Sequence, residues 1–174
     1  APVGGEFAVQ TQSAQGQLLP TIAVLSNGNF VITWSTRDPA ADGSIAAVKA
    51  QLFSPSGTKL GAEFLVNTTS EGFQSRPYAA AFDDGGFVIA FASAADSSIA
   101  ETYDVRAQRY DNLGNKVGTE FLVNTTTNGN QRAPNVAAQA DGRFVVAWAS
   151  DEAPGTASTT VLRARLFDAQ GVPL

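Results

Sequence analysis

Apolar and polar side chains alternate with a period of two through most of this chain, as half-buried β-strands require. In its middle stretch the alternation predicts four strands: EFLVN at 63–67, PYAAAF at 77–82, FVIAFAS at 87–93 and DVRAQRY at 104–110. A polar loop, TTSEGFQSR, separates the first from the second. DDGG then offers the positive-φ positions of a tight hairpin turn, and DNLGNKVG turns the chain back after the fourth strand. No stretch carries a helical stripe.

The same pattern occurs three times. Glu6, Glu63 and Glu120 are 57 residues apart, as are Pro20, Pro77 and Pro134, and Gly28, Gly85 and Gly142. Units 4–60, 61–117 and 118–174 tile the chain without insertion or deletion. The second and third agree at nearly half of their positions, and the first diverges further. A fixed period of this length marks a stacked repeat architecture.

The third strand of each unit shows how stacking would work. Phe30, Ile32 and Trp34 point one way and Val31 and Thr33 the other. Phe87, Ile89 and Phe91 oppose Val88 and Ala90; Phe144, Val146 and Trp148 oppose Val145 and Ala147. One face is bulky and the other small, so a strand of this kind is expected to lie between two neighbouring sheets.

The expected fold is therefore all-β: three four-stranded antiparallel repeats, each a β-propeller blade. The last unit lacks a closing strand, which the N-terminal GEFAVQ segment could supply. Propellers have about four to eight blades, so three would form half of a six-bladed ring or part of a longer array. A threefold β-prism or β-trefoil is the alternative. Self-association, as a homodimer or a polymer, follows from the propeller reading.

Composition narrows the function. Hydrophobic residues make up 44% of the chain, as in a folded domain, and no apolar run is long enough for membrane insertion as a helix. The formal charge of −5 argues against a nucleic-acid partner. There is no cysteine and no histidine, which removes thiolate and imidazole chemistry, Ser-His-Asp triads and His- or Cys-ligated metals. The opening Ala-Pro-Val, without an initiator methionine, fits a secreted product after signal removal, or a segment of a longer chain.

The patterns G-x-E-F-x-V-N-T, D-G-x-F-V-V-x-W-x-S (Asp141, Gly142, Phe144, Trp148, Ser150) and V-x-A-Q-x-F-D-x-x-G resemble a repeat of large secreted bacterial proteins of the haemolysin-type, calcium-binding group. The D-G-x-[FI]-V-V hairpin also resembles blades of bacterial repeat propellers. The first unit departs from it, with Asn27-Gly28 and Gln10. The resemblance implies a secreted repeat architecture. The glycine- and aspartate-rich nonapeptides that carry calcium in such proteins are missing, so no cofactor is expected, with calcium kept as the alternative.

Two sets of residues are candidate ligand contacts. Gln17, Gln74 and Gln131 recur before the second strand, where an amide could meet a sugar hydroxyl or else satisfy loop backbone. Asp38, Asp42, Asp96, Asp151 and Glu152 lie in the variable loops between third and fourth strands, where binding residues concentrate. Glu6, Glu63 and Glu120 read as solvated strand ends, and Lys49, Arg106 and Arg163 as a solvated face. Trp34, Phe91 and Trp148 read as inter-sheet core. Asn67-Thr68-Thr69 and Asn124-Thr125-Thr126 match a glycosylation acceptor but read as strand-to-loop turns. Without a catalytic constellation, the expectation is a non-enzymatic, secreted structural or adhesive module, with a multivalent lectin for cell-surface glycans as the alternative.

Overall fold

A computed structural model describes residues 4–11, 15–38, 40–94, 102–151 and 159–174. The described residues form three antiparallel sheets and no helix. The first sheet contains β1 (Gln17–Val24), β2 (Phe30–Thr36), β3 (Ala47–Phe53) and β4 (Lys59–Leu65), in that order. The second contains β5 (Phe73–Ala81), β6 (Phe87–Ala94), β7 (Asp104–Tyr110) and β8 (Lys116–Leu122). The third has three strands, β9 (Gln131–Ala138), β10 (Phe144–Asp151) and β11 (Thr160–Phe167). Each EF segment thus pairs with the sheet of the preceding repeat: β4 with β3 and β8 with β7.

The sheets stack face to face through the alternation of the third strand of each repeat. The first core joins the small face of sheet one (Val31, Val48, Ala50, Leu52) to the bulky face of sheet two (Phe87, Ile89, Phe91). The second core repeats the contact one sheet further, with Val88, Ala90, Val105 and Ala107 against Phe144, Val146, Trp148 and Phe167. Side chains of opposite bulk fill each other's gaps, which gives close packing without overpacking. The EF phenylalanines seal the outer end of each core. Phe64 lies 5.3 Å from the Tyr110 ring and Phe121 lies 5.4 Å from Phe167. Burial pushes the Tyr110 phenol up far beyond its ordinary range, so it stays a donor to the Val66 carbonyl at 3.3 Å.

Glu6 is exposed as expected, but Glu63 and Glu120 are not solvated strand ends. Glu120 has 2% of its side chain exposed; it pairs with Arg106 at 3.2 Å and accepts from the Thr68 amide and the Thr68 and Thr69 hydroxyls. Glu63 pairs with Lys49 at 2.8 Å and accepts from the Thr11 amide. A carboxylate is kept inside because each oxygen has a donor. Lys49 and Arg106, read as a solvated face, are the cationic halves of these pairs. Asn67 and Asn124, both 1% exposed, accept from the Val48 and Val105 amides and donate to the Thr69 and Thr126 carbonyls. Their side-chain nitrogens are committed to the turn and cannot take a glycan.

Burial pushes the Glu63 carboxyl up, but hydrogen bonds from Lys49 and Thr11 outweigh it and hold the group below the usual range. A depressed carboxyl adds stability that is present above the unfolded pKa and is lost as pH falls through the folded one. Urea titrations at a series of pH values below about 5 should therefore show an acid limb that is shallower in Glu63→Gln than in the parent chain.

Candidate functional site

Strands β1, β5 and β9, each at one edge of its sheet, lie side by side and carry one irregularity in common. Pairing with the next strand shifts register between Leu18 and Thr21, between Ser75 and Tyr78, and opposite Ala147–Ala149 in the third sheet. At each shift a residue before proline adopts a left-handed conformation: Leu19 at φ 55°, Arg76 at φ 55° and Ala133 at φ 52°. Residues with a Cβ avoid this region at a cost of about 1–2 kcal/mol. The following Pro20, Pro77 and Pro134 have no amide to lose from the ladder. Bulges of this kind re-aim side chains, and they are frequent beside functional sites.

The three bulges meet at one cavity of about 340 Å³, lined by Leu19, Pro20, Arg76, Pro77, Tyr78, Ala133, Pro134 and Asn135, with Thr21 beside them. A second cavity of about 280 Å³ adjoins it through Arg76 and is lined by Tyr103, Asn130, Arg132 and Ala92. A third, of about 180 Å³, shares Arg76 and Tyr103 and reaches Arg37. Three guanidinium groups and two tyrosines thus border three cavities that share lining residues, together the groove, in a chain whose formal charge is −5. Arg76 is exposed and makes no ion pair among the described residues, while its amide is tied to Ser35 Oγ at 3.1 Å. Its backbone is fixed and its side chain is available.

Arg132 is held differently. It donates to both oxygens of Asp151, at 3.0 and 2.8 Å. Thr160 Oγ1 also donates to Asp151 at 2.6 Å, and the Asp151 amide donates to the Asn130 carbonyl at 2.9 Å. Asp151 is therefore a carboxylate anchored to the residues that line the groove. Both contacts come from the one nitrogen Nη2, a charge-assisted pair that ties the carboxylate to Arg132.

The other predicted contacts are distributed elsewhere. Gln74 and Gln131 are fully buried, and their amides donate to the Glu71 and Asn128 carbonyls. Gln131 also accepts from Trp148 Nε1 at 2.9 Å. Gln17 is half-buried and donates to the Gln15 carbonyl, and it borders a cavity of about 280 Å³ shared with Val9 and Trp34. Trp34, Phe91 and Trp148 are core residues, at 3%, 0% and 5% exposure. Asp38 accepts from the Ala40 amide, and Asp42 accepts from Ser44 and from Asn67 Nδ2, so both organise their own loop. Asp96 and Glu152 lie outside the described residues. Among the described residues no group of three or more metal-ligating side chains comes together.

Arg76, Tyr103 and Arg132 escaped the sequence reading. The signal was present: an X-Pro pair at the same place in all three repeats, with a charged residue as X only in the second.

No family model matches the chain, and no curated protein matches it. Solved structures do. An alpha-L-arabinofuranosidase from Fusarium graminearum is similar with a TM-score of 0.65 at 13% identity, over 93% of this chain and 50% of that one. An alpha-L-arabinofuranosidase from Lactobacillus brevis gives a TM-score of 0.63 at 11% identity, over 95% and 57%. An endo-arabinase from Bacteroides thetaiotaomicron gives 0.55 at 17% identity, over 87% and 57%. The chain spans about half the length of these structures, and at such identities the likeness is one of fold. It corrects the expectation of a non-enzymatic structural or adhesive module, and of a lectin as its alternative. That expectation rested on the missing histidine and cysteine, whereas glycoside hydrolases of this fold belong to a chemistry that carboxylates carry out.

Proposed function

We propose that the three sheets are β-propeller blades and that the chain acts as part of a glycoside hydrolase, with its substrate in the groove beside the three bulges. The observation that carries this reading is a groove lined by Arg76, Arg132 and two tyrosines, with Asp151 anchored behind it to Arg132, on a fold similar to that of alpha-L-arabinofuranosidases. In a propeller the innermost strands surround the central axis, so β1, β5 and β9 would present the groove there. Sugars suit these walls. Guanidinium forks match adjacent hydroxyls or a carboxylate, and tyrosine offers a ring for stacking and a hydroxyl for hydrogen bonding.

Hydrolysis needs two carboxyl groups. One gives a proton to the leaving oxygen while the other takes a proton from the attacking water as the glycosidic bond breaks. Asp151 supplies one of them. The second would be another acidic side chain of the folded, associated protein, outside the described groove.

Arg76→Ala tests the groove with little risk to the fold, because Ala133 already occupies the equivalent left-handed position. Calorimetry with arabino-oligosaccharides should show binding to the parent chain that is weakened about tenfold or more in the variant, with an unchanged Tm. Equal affinity in the two proteins would remove the groove from the account.

A further inference from the structure

The two inter-sheet contacts within the chain are the same contact made twice, and each end of the stack presents one half of it. On sheet one, Ile22 is 60% exposed, although its equivalents Ala79 and Val136 are 6% and 5% exposed inside the two cores. On sheet three, Leu162 is 87% exposed, although its equivalents Val48 and Val105 are fully buried. Ala147 and Ala164 are exposed beside it, at positions filled by the buried Thr33 and Ala90, and by the buried Ala50 and Ala107, in the other sheets. The small face of sheet three is thus open, and the bulky face of sheet one is open at Ile22 and half-open at Phe30 and Ile32, while Trp34 and Phe53 are covered within the chain; the open parts are shaped as partners of each other.

The N-terminal segment is already in the matching position. Phe7 packs on Phe53 at 5.5 Å, as Phe64 packs on Tyr110 and Phe121 on Phe167. Thr11 donates its amide to Glu63 as Thr68 donates to Glu120. Residues 5–11 therefore sit where the outer strand of a preceding sheet would sit. Among the described residues the third sheet has three strands, and Pro173 and Leu174 run beside the end of β11 through a bridge to Phe167 and a bond to the Leu166 carbonyl.

We propose that these ends mate with those of a second copy of this chain. Sheet three of each copy packs on sheet one of the other, the GEF segment of one completes β9–β11 of its partner, and six sheets close into a ring. A head-to-tail contact forms a closed particle when its rotation closes, and two equivalent junctions satisfy that here. The share of the solved structures that one chain spans, 50% and 57% for the two arabinofuranosidases, leaves room for a second copy. Closure also removes both exposed sheet edges, which otherwise template uncontrolled pairing.

Light scattering on the 174-residue chain should give twice its mass of 18.1 kDa. Leu162→Glu should raise the dissociation constant about 100-fold or more by placing a charge in the junction. Its far-UV circular dichroism should be unchanged, because Leu162 is 87% exposed within one chain. Ile22→Lys tests the opposite face in the same way. A parent chain that stays at 18.1 kDa at all concentrations overturns the proposal. So does a dimer indifferent to both substitutions, and so does a ladder of ever larger masses, which would mean an open array.

Discussion

Asp151→Asn should lower the rate of glycosidic-bond hydrolysis by about 10²- to 10⁴-fold, the usual contribution of a positioned acid or base. The substitution keeps size and shape and removes the charge. Arg132 then loses the second of its two carboxylate oxygens, while Thr160 keeps an acceptor and the backbone bond to Asn130 is untouched. Substrate affinity, carried by Arg76 and the tyrosines, should change far less than turnover. Reducing-end assays on parent and variant, with Tm measured beside them, separate the two effects. A variant with full activity would assign the chemistry to another carboxylate. A variant that loses activity only in proportion to its Tm would make Asp151 a structural residue.

Phe144→Ala should destabilise the chain by about 3–5 kcal/mol, the range for removing a buried aromatic ring. Phe144 is fully buried and sits at the centre of the second core. It stacks on Phe167 with centroids 5.0 Å apart and meets Phe82 at 5.8 Å and Phe121 at 6.4 Å. Phe167 and Phe121 come from strands on either side of the junction between sheets two and three, so the cavity cannot collapse without moving both sheets. Urea denaturation followed by tryptophan fluorescence reads the change, because Trp148 lies in the same core. A loss below about 1 kcal/mol would mean that the two sheets do not stack as described.

The stacking of the sheets was legible because it depends on a local property seen three times over. Alternation on the strand FVIAFAS separates Phe87, Ile89 and Phe91 from Val88 and Ala90, and those two sets enter different cores. The pairing of each EF segment with the sheet before it was legible through DNLGNKVG, which turns the chain back at Gly114; there and at Gly57 a side chain would press on Phe64 or on Phe7. The burial of Glu63 and Glu120 was hidden. Their donors, Thr11 and Thr68, lie 52 residues away, and a lone glutamate in a strand gives no hint of them.

The groove was harder still to foresee. A residue before proline is ordinarily extended, so nothing local predicts that Leu19, Arg76 and Ala133 turn left-handed. That geometry arises where β1, β5 and β9 each shift register against the next strand. Of the acidic loop residues singled out from the sequence, Asp38 and Asp42 brace their own turns, and Asp151 alone among the described ones is held by groove residues. The sequence could rank none of the three above the others, because the distinction lies in Arg132, on a different strand.

The proposed action on glycosidic bonds is tested most directly by reducing-end release from a panel of polysaccharides, with arabinan and arabinoxylan first. Release is expected from at least one polymer with the purified chain, falling about 10²-fold or more in Asp151→Asn. No release from any polymer, at protein concentrations where the chain is folded and associated, would contradict it.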